Sequence, residues 1–288
     1  MVLDINHRYH RTGTKENMWK NRFFLKYADR QIAKSKRKKE RFIHCEADFK
    51  GKKFRKWISP YVKVLLHIKS RICGLTYEVI GDASDLEPDE TVVYVGTHIG
   101  KYDWEMLKEA LELYSYTIAG DWELMYGEFA DYFFRLTGVI YVDTEDKTDR
   151  RNTLSMMIKA LKNDVPIFLF PEGIWNVSES LPLYPIYPGA LKAAKAGNVP
   201  IVPIAIEQRK RHFTINVGEK FYVESEDWKA ECEKLRDVLA TLKWKIWEHY
   251  PREKRADIPE NYYRDFLAER LAEWPQFNME IIRNRIHR

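Results

Sequence analysis

Between residues 75 and 217, seven short apolar runs alternate with longer amphipathic or charged stretches. The runs fall at 77–80, 92–96, 116–119, 139–142, 167–170, 201–206 and 213–217. Several are apolar almost throughout, which is the pattern of strands covered on both faces. Helical periodicity separates most of them, at 104–113, around 126–136, at 151–162 and at 189–196. Strand and helix alternating in this way predict an α/β fold: a mixed, mainly parallel sheet flanked by helices.

The chain has 288 residues, of which 45% are apolar and 32% charged, enough to bury a large core. Its net charge of +5 hides a division. Residues 1–71 carry 21 Lys and Arg against 6 Asp and Glu, a balance of +15, and the rest of the chain stands at −10. The basic part also holds aromatic residues, with Trp19, Phe23, Phe24 and Tyr27 preceding the run from Lys34 to Lys39. Two readings stand: a solvated helix with a charge run, or an arm on an anionic partner, its rings at a membrane interface. Ser59-Pro60 predicts the start of a helix reaching about Ile72, with proline at its first position. Residues 1–74 are expected to form a helical arm, 75–225 the α/β domain, and 226–288 a helical extension packed on that domain.

Cys45, Cys73 and Cys232 lie far apart and lack metal-ligand spacing, so free thiols in a reducing compartment are expected. The N-terminus has no apolar core of signal-peptide type, and no run reaches the ~20 apolar residues of a membrane span. The expectation from these features is a cytoplasmic protein, soluble or peripheral on the inner face of a membrane, without a metal. No Gly-x-Ser-x-Gly elbow and no phosphate-binding Gly-x4-Gly-Lys loop occur, which argues against an ordinary α/β-hydrolase or an NTPase.

The stretch Thr97-His98-Ile99-Gly100-Lys101-Tyr102-Asp103 joins the second apolar run to a helix. If the residues between form a loop, Asp103 can accept a hydrogen bond from one ring nitrogen of His98, leaving the other to take a proton. The plainer reading makes Asp103 a helix cap and His98 an ordinary loop residue. Three later stretches also stand out. Gly138 to Asp143 is a strand ending in a polar turn. Phe170-Pro171-Glu172-Gly173 closes a buried strand with a carboxylate that needs partners and a glycine that permits unusual backbone. Val199 to Pro203 opens another buried strand.

These four blocks, in this order, resemble the glycerolipid acyltransferase superfamily over roughly residues 75–220. His98 and Asp103 match its His-x4-Asp block. The resemblance implies direct acyl transfer from a thioester, with acyl-CoA or acyl carrier protein as co-substrate and no other cofactor. It implies a lysolipid acceptor, 1-acyl-glycerol-3-phosphate first. Together with the basic arm, it makes an anionic membrane surface the expected partner rather than nucleic acid. His98 would be the base and Asp103 its orienting partner, with Glu172 and Gly173 in the acceptor loop. The chain departs from the pattern where many members carry phosphate-associated arginines, since Thr144 and Trp175 stand at those positions. Either Arg150, Arg151 or Lys192 reaches the same phosphate, or the acceptor has no phosphate monoester and Trp175 stacks on a larger headgroup. A packed Trp175, a thioesterase with water in place of the acceptor alcohol, and a non-catalytic membrane- or RNA-binding relative are the remaining alternatives.

Overall fold

The computed structural model of the chain describes residues 51–83, 86–87, 90–120, 129–144, 146–178 and 181–273. The basic aromatic stretch within residues 1–50 lies outside them. In chain order the elements are α1 (Lys52–Ile72), β1 (Thr76–Val79), β2 (Val93–Gly96), α2 (Asp103–Leu111), β3 (Tyr116–Gly120), α3 (Phe129–Thr137) and β4 (Val139–Val142). They continue with α4 (Lys147–Leu161), β5 (Ile167–Leu169), α5 (Gly189–Gly197), β6 (Ile201–Arg209), β7 (His212–Val217), α6 (Trp228–His249), a 3₁₀ turn (Arg255–Asp257) and α7 (Tyr262–Glu273). All seven expected strands form. They make one sheet in the order β1-β7-β6-β2-β5-β3-β4. Neighbours are parallel except β6 and β7, which pair antiparallel from Ile204 opposite Val217 to Arg209 opposite His212.

The period-2 alternation of strand side chains splits the core between the two sheet faces. Tyr94, Phe168, Ile204 and Ile206 point to the side covered by Val62 and Leu66 of α1, Trp104 and Leu107 of α2 and Phe134 of α3. Val93, Val95, Ile140 and Ile167 point to the other side, against Met157 and Leu161 of α4, Leu191 of α5 and Leu235 and Leu239 of α6. Gly138 joins α3 to β4 with φ +110°, a conformation only glycine adopts easily, and a side chain there would strike the Tyr116 ring. The C-terminal end of α2 is held by Lys108, whose buried ammonium donates to the carbonyls of Leu113 and Ser115 and to Ser115 Oγ. With no ion pair to a carboxylate among the described residues, burial pushes this lysine down to about 7.

Helix α1 departs from the sequence expectation. It begins at Lys52 and carries Pro60 inside it. An internal proline costs about 3 kcal/mol, through a lost N–H bond and a clash with the preceding turn. The first turns are tied down in return. Lys52 Nζ donates to Asn163 O at 2.6 Å, Arg55 Nη1 to Tyr116 OH at 2.9 Å, and Tyr114 OH to Lys52 O at 3.1 Å. At about 1 kcal/mol each, these three bonds offset the proline.

The same helix divides its apolar residues between core and solvent. Val62, Leu66 and Ser70 are buried, while Phe54, Trp57, Tyr61, Leu65, Ile68 and Ile72 recur at helical spacing on the exposed side. Its polar residues meet the glutamates of α2 and the residue that follows it. Lys63 pairs with Glu112 and Lys69 with Glu105, and His67 Nδ1 lies 2.7 Å from Glu109 Oε1.

This division of α1 has a measurable consequence. Leu66→Ala should lower unfolding free energy by about 2–5 kcal/mol, and Leu65→Ala should stay within about 0.5 kcal/mol of wild type. Denaturant titration of both variants checks it; similar losses for the two would mean that the exposed side is packed.

Candidate active site

Strands β2, β5, β3 and β4 lie side by side and parallel, so their carboxyl ends share one edge of the sheet. Open α/β sheets bind their ligands at that edge. His98 follows β2 there, Phe170 to Asn176 follow β5, and Thr144 follows β4.

The β2–α2 loop is wound around one carboxylate oxygen. Asp103 Oδ2 accepts from His98 Nδ1 at 2.8 Å, from the Ile99 N–H at 2.6 Å and from the Gly100 N–H at 2.9 Å. Asp103 is fully buried at the first position of α2, where the helix dipole favours a negative charge. Nδ1 is the donor in this pairing, so Nε2 carries the lone pair. Nε2 has no hydrogen-bond partner among the described residues, and 21% of the His98 side chain is accessible. The cap position of α2 is Tyr102, with no side-chain cap bond, so Asp103 is not the helix cap and its oxygen serves the histidine and the loop before the helix.

The loop after β5 grips the histidine from the other side. The His98 N–H donates to Glu172 Oε1 at 3.1 Å, and its carbonyl accepts from the Asn176 N–H at 2.6 Å. The Phe170 ring stacks on the imidazole with centroids 3.9 Å apart, and Trp175 meets it edge-on at 6.1 Å. Gly173 turns this loop at φ +65°, where a side chain would crowd the Tyr187 ring. Glu172 is 3% exposed, and its Oε2 accepts from the Tyr184 N–H at 2.9 Å. Burial raises its carboxyl to about 7, opposed by the charge of Lys243 and by hydrogen bonds from Tyr184, His98 and Asn176.

The structure places two of the expected substrate contacts against the protein itself. Both oxygens of Glu172 are engaged with backbone amides, so its carboxylate supports the His98 loop from behind rather than facing an acceptor. Trp175 is 1% exposed and forms a wall behind the imidazole, so it offers no face for a headgroup. Thr144 is half-buried at the end of β4, three strands and roughly 14 Å along the sheet from β2 at ~4.8 Å per strand. Its carbonyl accepts from Arg150 Nη1 at 2.6 Å. Arg150 and Arg151 are exposed in the first turns of α4, which starts four residues earlier than expected, capped by Asp146. The Arg150 guanidinium therefore sits beside Thr144 at the end of β4. Asn176 and Tyr184 were not legible as site residues, because their role lies in main-chain donors brought in by tertiary packing. Among the described residues, no three His, Cys, Asp or Glu side chains are grouped to hold a metal ion.

Residues 79–207 match the family model described as Acyltransferase. The chain is 25% identical over 182 residues to a 1-acyl-sn-glycerol-3-phosphate acyltransferase of Haemophilus influenzae, covering 63% of this chain and 68% of that protein. It is 26% identical over 134 residues to the Escherichia coli protein of the same name, covering 46% and 54%. The Saccharomyces cerevisiae protein of that name is 24% identical over 151 residues, covering 52% and 48%. The chain thus spans about two thirds of the first relative and about half of the other two. In fold it resembles the crystal structure of the 1-acyl-sn-glycerophosphate acyltransferase of Thermotoga maritima, with a TM-score of 0.56 at 16% identity over 69% of this chain and 83% of that one.

The Glu172 environment sets a pH dependence whose sign can be worked out. The folded carboxyl holds its proton up to about 7, while a solvated one releases it near 4.5. Between these values the folded state binds more protons, so this group's contribution to stability falls as pH rises. Glu172→Gln should flatten that part of the stability–pH curve, read by denaturant titration at pH 5, 6, 7 and 8. A slope identical to wild type would mean that Glu172 titrates normally. Trp175→Arg should instead destabilise by about 3 kcal/mol or more, because it buries an unpaired charge.

Proposed function

We propose that this chain, which belongs to the glycerolipid acyltransferase superfamily, moves a fatty acyl group from a thioester to a hydroxyl of a lysoglycerolipid. The donor is acyl-CoA or acyl carrier protein, and the acceptor is 1-acyl-glycerol-3-phosphate. The observation that carries the reading is the oriented imidazole, with Nδ1 committed to buried Asp103 and Nε2 left as an acceptor. A thioester is already activated, so no covalent enzyme intermediate is needed. As the acceptor oxygen attacks the thioester carbonyl, Nε2 takes its proton, and the buried charge of Asp103 stabilises the imidazolium that forms. When the tetrahedral intermediate collapses, the C–S bond breaks and the same proton passes to the leaving sulfur. Phe170 and the backbone grip of Glu172 and Asn176 keep the ring in place while this happens.

The acceptor assignment rests on the named relatives and on Arg150, whose guanidinium lies at the end of β4. A second reading is favoured by Trp175. With that position filled by a packed aromatic and no third-block arginine, an acceptor without a phosphate monoester would need fewer cations. The membrane assignment rests on α1. Its exposed stripe of Phe54, Trp57, Tyr61, Leu65, Ile68 and Ile72 is suited to lying in a headgroup region, with aromatic rings at the interface. Among the described residues no helix is long and apolar enough to cross a membrane, so a peripheral position on the inner face is proposed.

Purified protein should transfer acyl groups from acyl-CoA to lysophosphatidate, and His98→Ala should lose at least about two decades of turnover while keeping its fold. Turnover within a few-fold of wild type would overturn the mechanism. Replacing Arg150 and Arg151 together by Gln should raise KM for lysophosphatidate and spare KM for the donor, while unchanged kinetics together with higher activity on a phosphate-free lysolipid would favour the second acceptor. Trp57→Glu with Ile68→Glu should weaken sedimentation with anionic vesicles by more than tenfold at unchanged thermal stability. Equal binding would move the membrane contact away from α1.

A further inference from the structure

The first turn of α2 carries Asp103 but has no capping side chain. Tyr102 stands at the cap position and makes no side-chain bond to the helix amides. Such a bond ordinarily fixes a helix start. Asp103, one residue later, spends its Oδ2 on His98, Ile99 and Gly100. The turn is gripped from another helix instead. Lys69 of α1 precedes the segment that matches the family model, and its Nζ donates to both carboxylate oxygens of Glu105 at 2.5 Å. The same Nζ lies 5.4 Å from the centroid of the Tyr102 ring, within reach of a cation–π contact. Tyr102 and Glu105 are three residues apart, so they share one face of the helix start. Asp103 lies between them in the chain.

We propose that Lys69 is a positioning residue: its ammonium, shared between Glu105 and the Tyr102 ring, fixes the first turn of α2 and so holds Asp103, and through it the His98 imidazole, in line for proton transfer. This rests on the acyl-transfer reading of the site. The pair is well shielded, with 4% of the Glu105 side chain accessible and 19% of that of Lys69. Charges so enclosed interact more strongly than they would in water. Two other contacts of the same kind join α1 to α2, but they lie further along. His67 meets Glu109, and Lys63 meets Glu112 just past the helix end. Of the three, the Lys69 contact is the one that reaches the turn of Asp103. Lys69 acts on the placement of the base and not on the binding of substrate, so its loss should appear in kcat rather than in KM. A shift of about 1 Å at a reacting group can cost about two decades in rate.

The test measures amide hydrogen exchange in the ¹⁵N-labelled full chain at Ile99 and Gly100, whose N–H groups donate to Asp103. The β6–β7 ladder serves as the control. Exchange is read beside kcat and KM with acyl-CoA and lysophosphatidate, for wild type, Lys69→Met, Lys69→Arg and Lys63→Met. The last variant cuts an ion pair of the same kind at the far end of α2. Lys69→Met should lose about tenfold or more of the protection at Ile99 and Gly100 while the ladder keeps its own. Its kcat should fall about tenfold or more, with both KM values within about twofold of wild type. Lys69→Arg should restore most of both losses, and Lys63→Met should leave both near wild type. Protection lost equally in the ladder, or lost in the same way in Lys63→Met, would assign Lys69 to packing of α1 and sink the proposal. Unmoved protection at Ile99 and Gly100, or a raised KM at unchanged kcat, would sink it too. Should Lys69→Met fail to fold, Lys69→Met combined with Glu105→Met is read in its place, since it leaves no buried carboxylate unpaired. The same local loss is expected there, and intact protection counts against the proposal. Local loss as expected in a protein with no transferase activity would uphold the positioning role and overturn the acyl-transfer reading instead.

Discussion

One carboxylate oxygen decides the shape of this site. Asp103 Oδ2 gathers a ring N–H and two backbone N–H groups, so the imidazole tautomer, the turn of the β2–α2 loop and the start of α2 are fixed together. Burying a carboxylate without a cation beside it is unfavourable unless donors surround it. Three donors to Oδ2 and the amino end of a helix meet part of that requirement, while Oδ1 is buried without a hydrogen-bond partner among the described residues. The arrangement also leaves a negative charge behind the ring, where it would stabilise the imidazolium of the proposed transfer. Because donors and acceptor lie within six consecutive residues, this part of the site could be read from spacing alone.

The rest of the site depends on contacts that no spacing announces. Glu172 and Asn176 hold the main chain of His98 from more than seventy residues away, by way of the parallel pairing of β2 with β5. The block Phe170-Pro171-Glu172-Gly173 was legible as chemically unusual, and its carboxylate was expected either in a network or in a site. Only the packing assigns it to the network. Trp175 shows the same limit, since a tryptophan in a polar loop offers either a stacking face or a wall. The direction of the chain after Gly173 turns it inward, behind the imidazole.

The strands were legible because short, evenly apolar runs have few other folds open to them, and their ends moved by only one to three residues. The first helix was misread at one point for a physical reason. Ser59-Pro60 is a sound local start signal, but local signals compete with tertiary bonds, and Lys52, Arg55 and Tyr114 supply enough of them to carry the helix through the proline. Helix α4 starts earlier than its apolar periodicity because its first turn is polar and is set by the Asp146 cap instead.

Charge alone is a poor guide to what α1 meets. The basic excess of residues 1–71 suggested an anionic partner, yet Lys63 and Lys69 are taken up by Glu112 and Glu105, and His67 is bonded to Glu109. Those groups answer part of the acidic excess of the body and are not available to phosphates outside. What remains outward on this helix is its apolar stripe, with Lys53, Lys56 and Arg71 exposed beside it. A nucleic acid gains from cations and stacked rings but has nothing to offer Leu65, Ile68 and Ile72, whereas a lipid interface takes the rings and the aliphatic side chains together. The polar contacts then acquire a second role, since they join the helix proposed to lie on the membrane to the helix that begins at Asp103. A lysolipid entering from that surface would meet the histidine at the end of an element anchored by α1 itself.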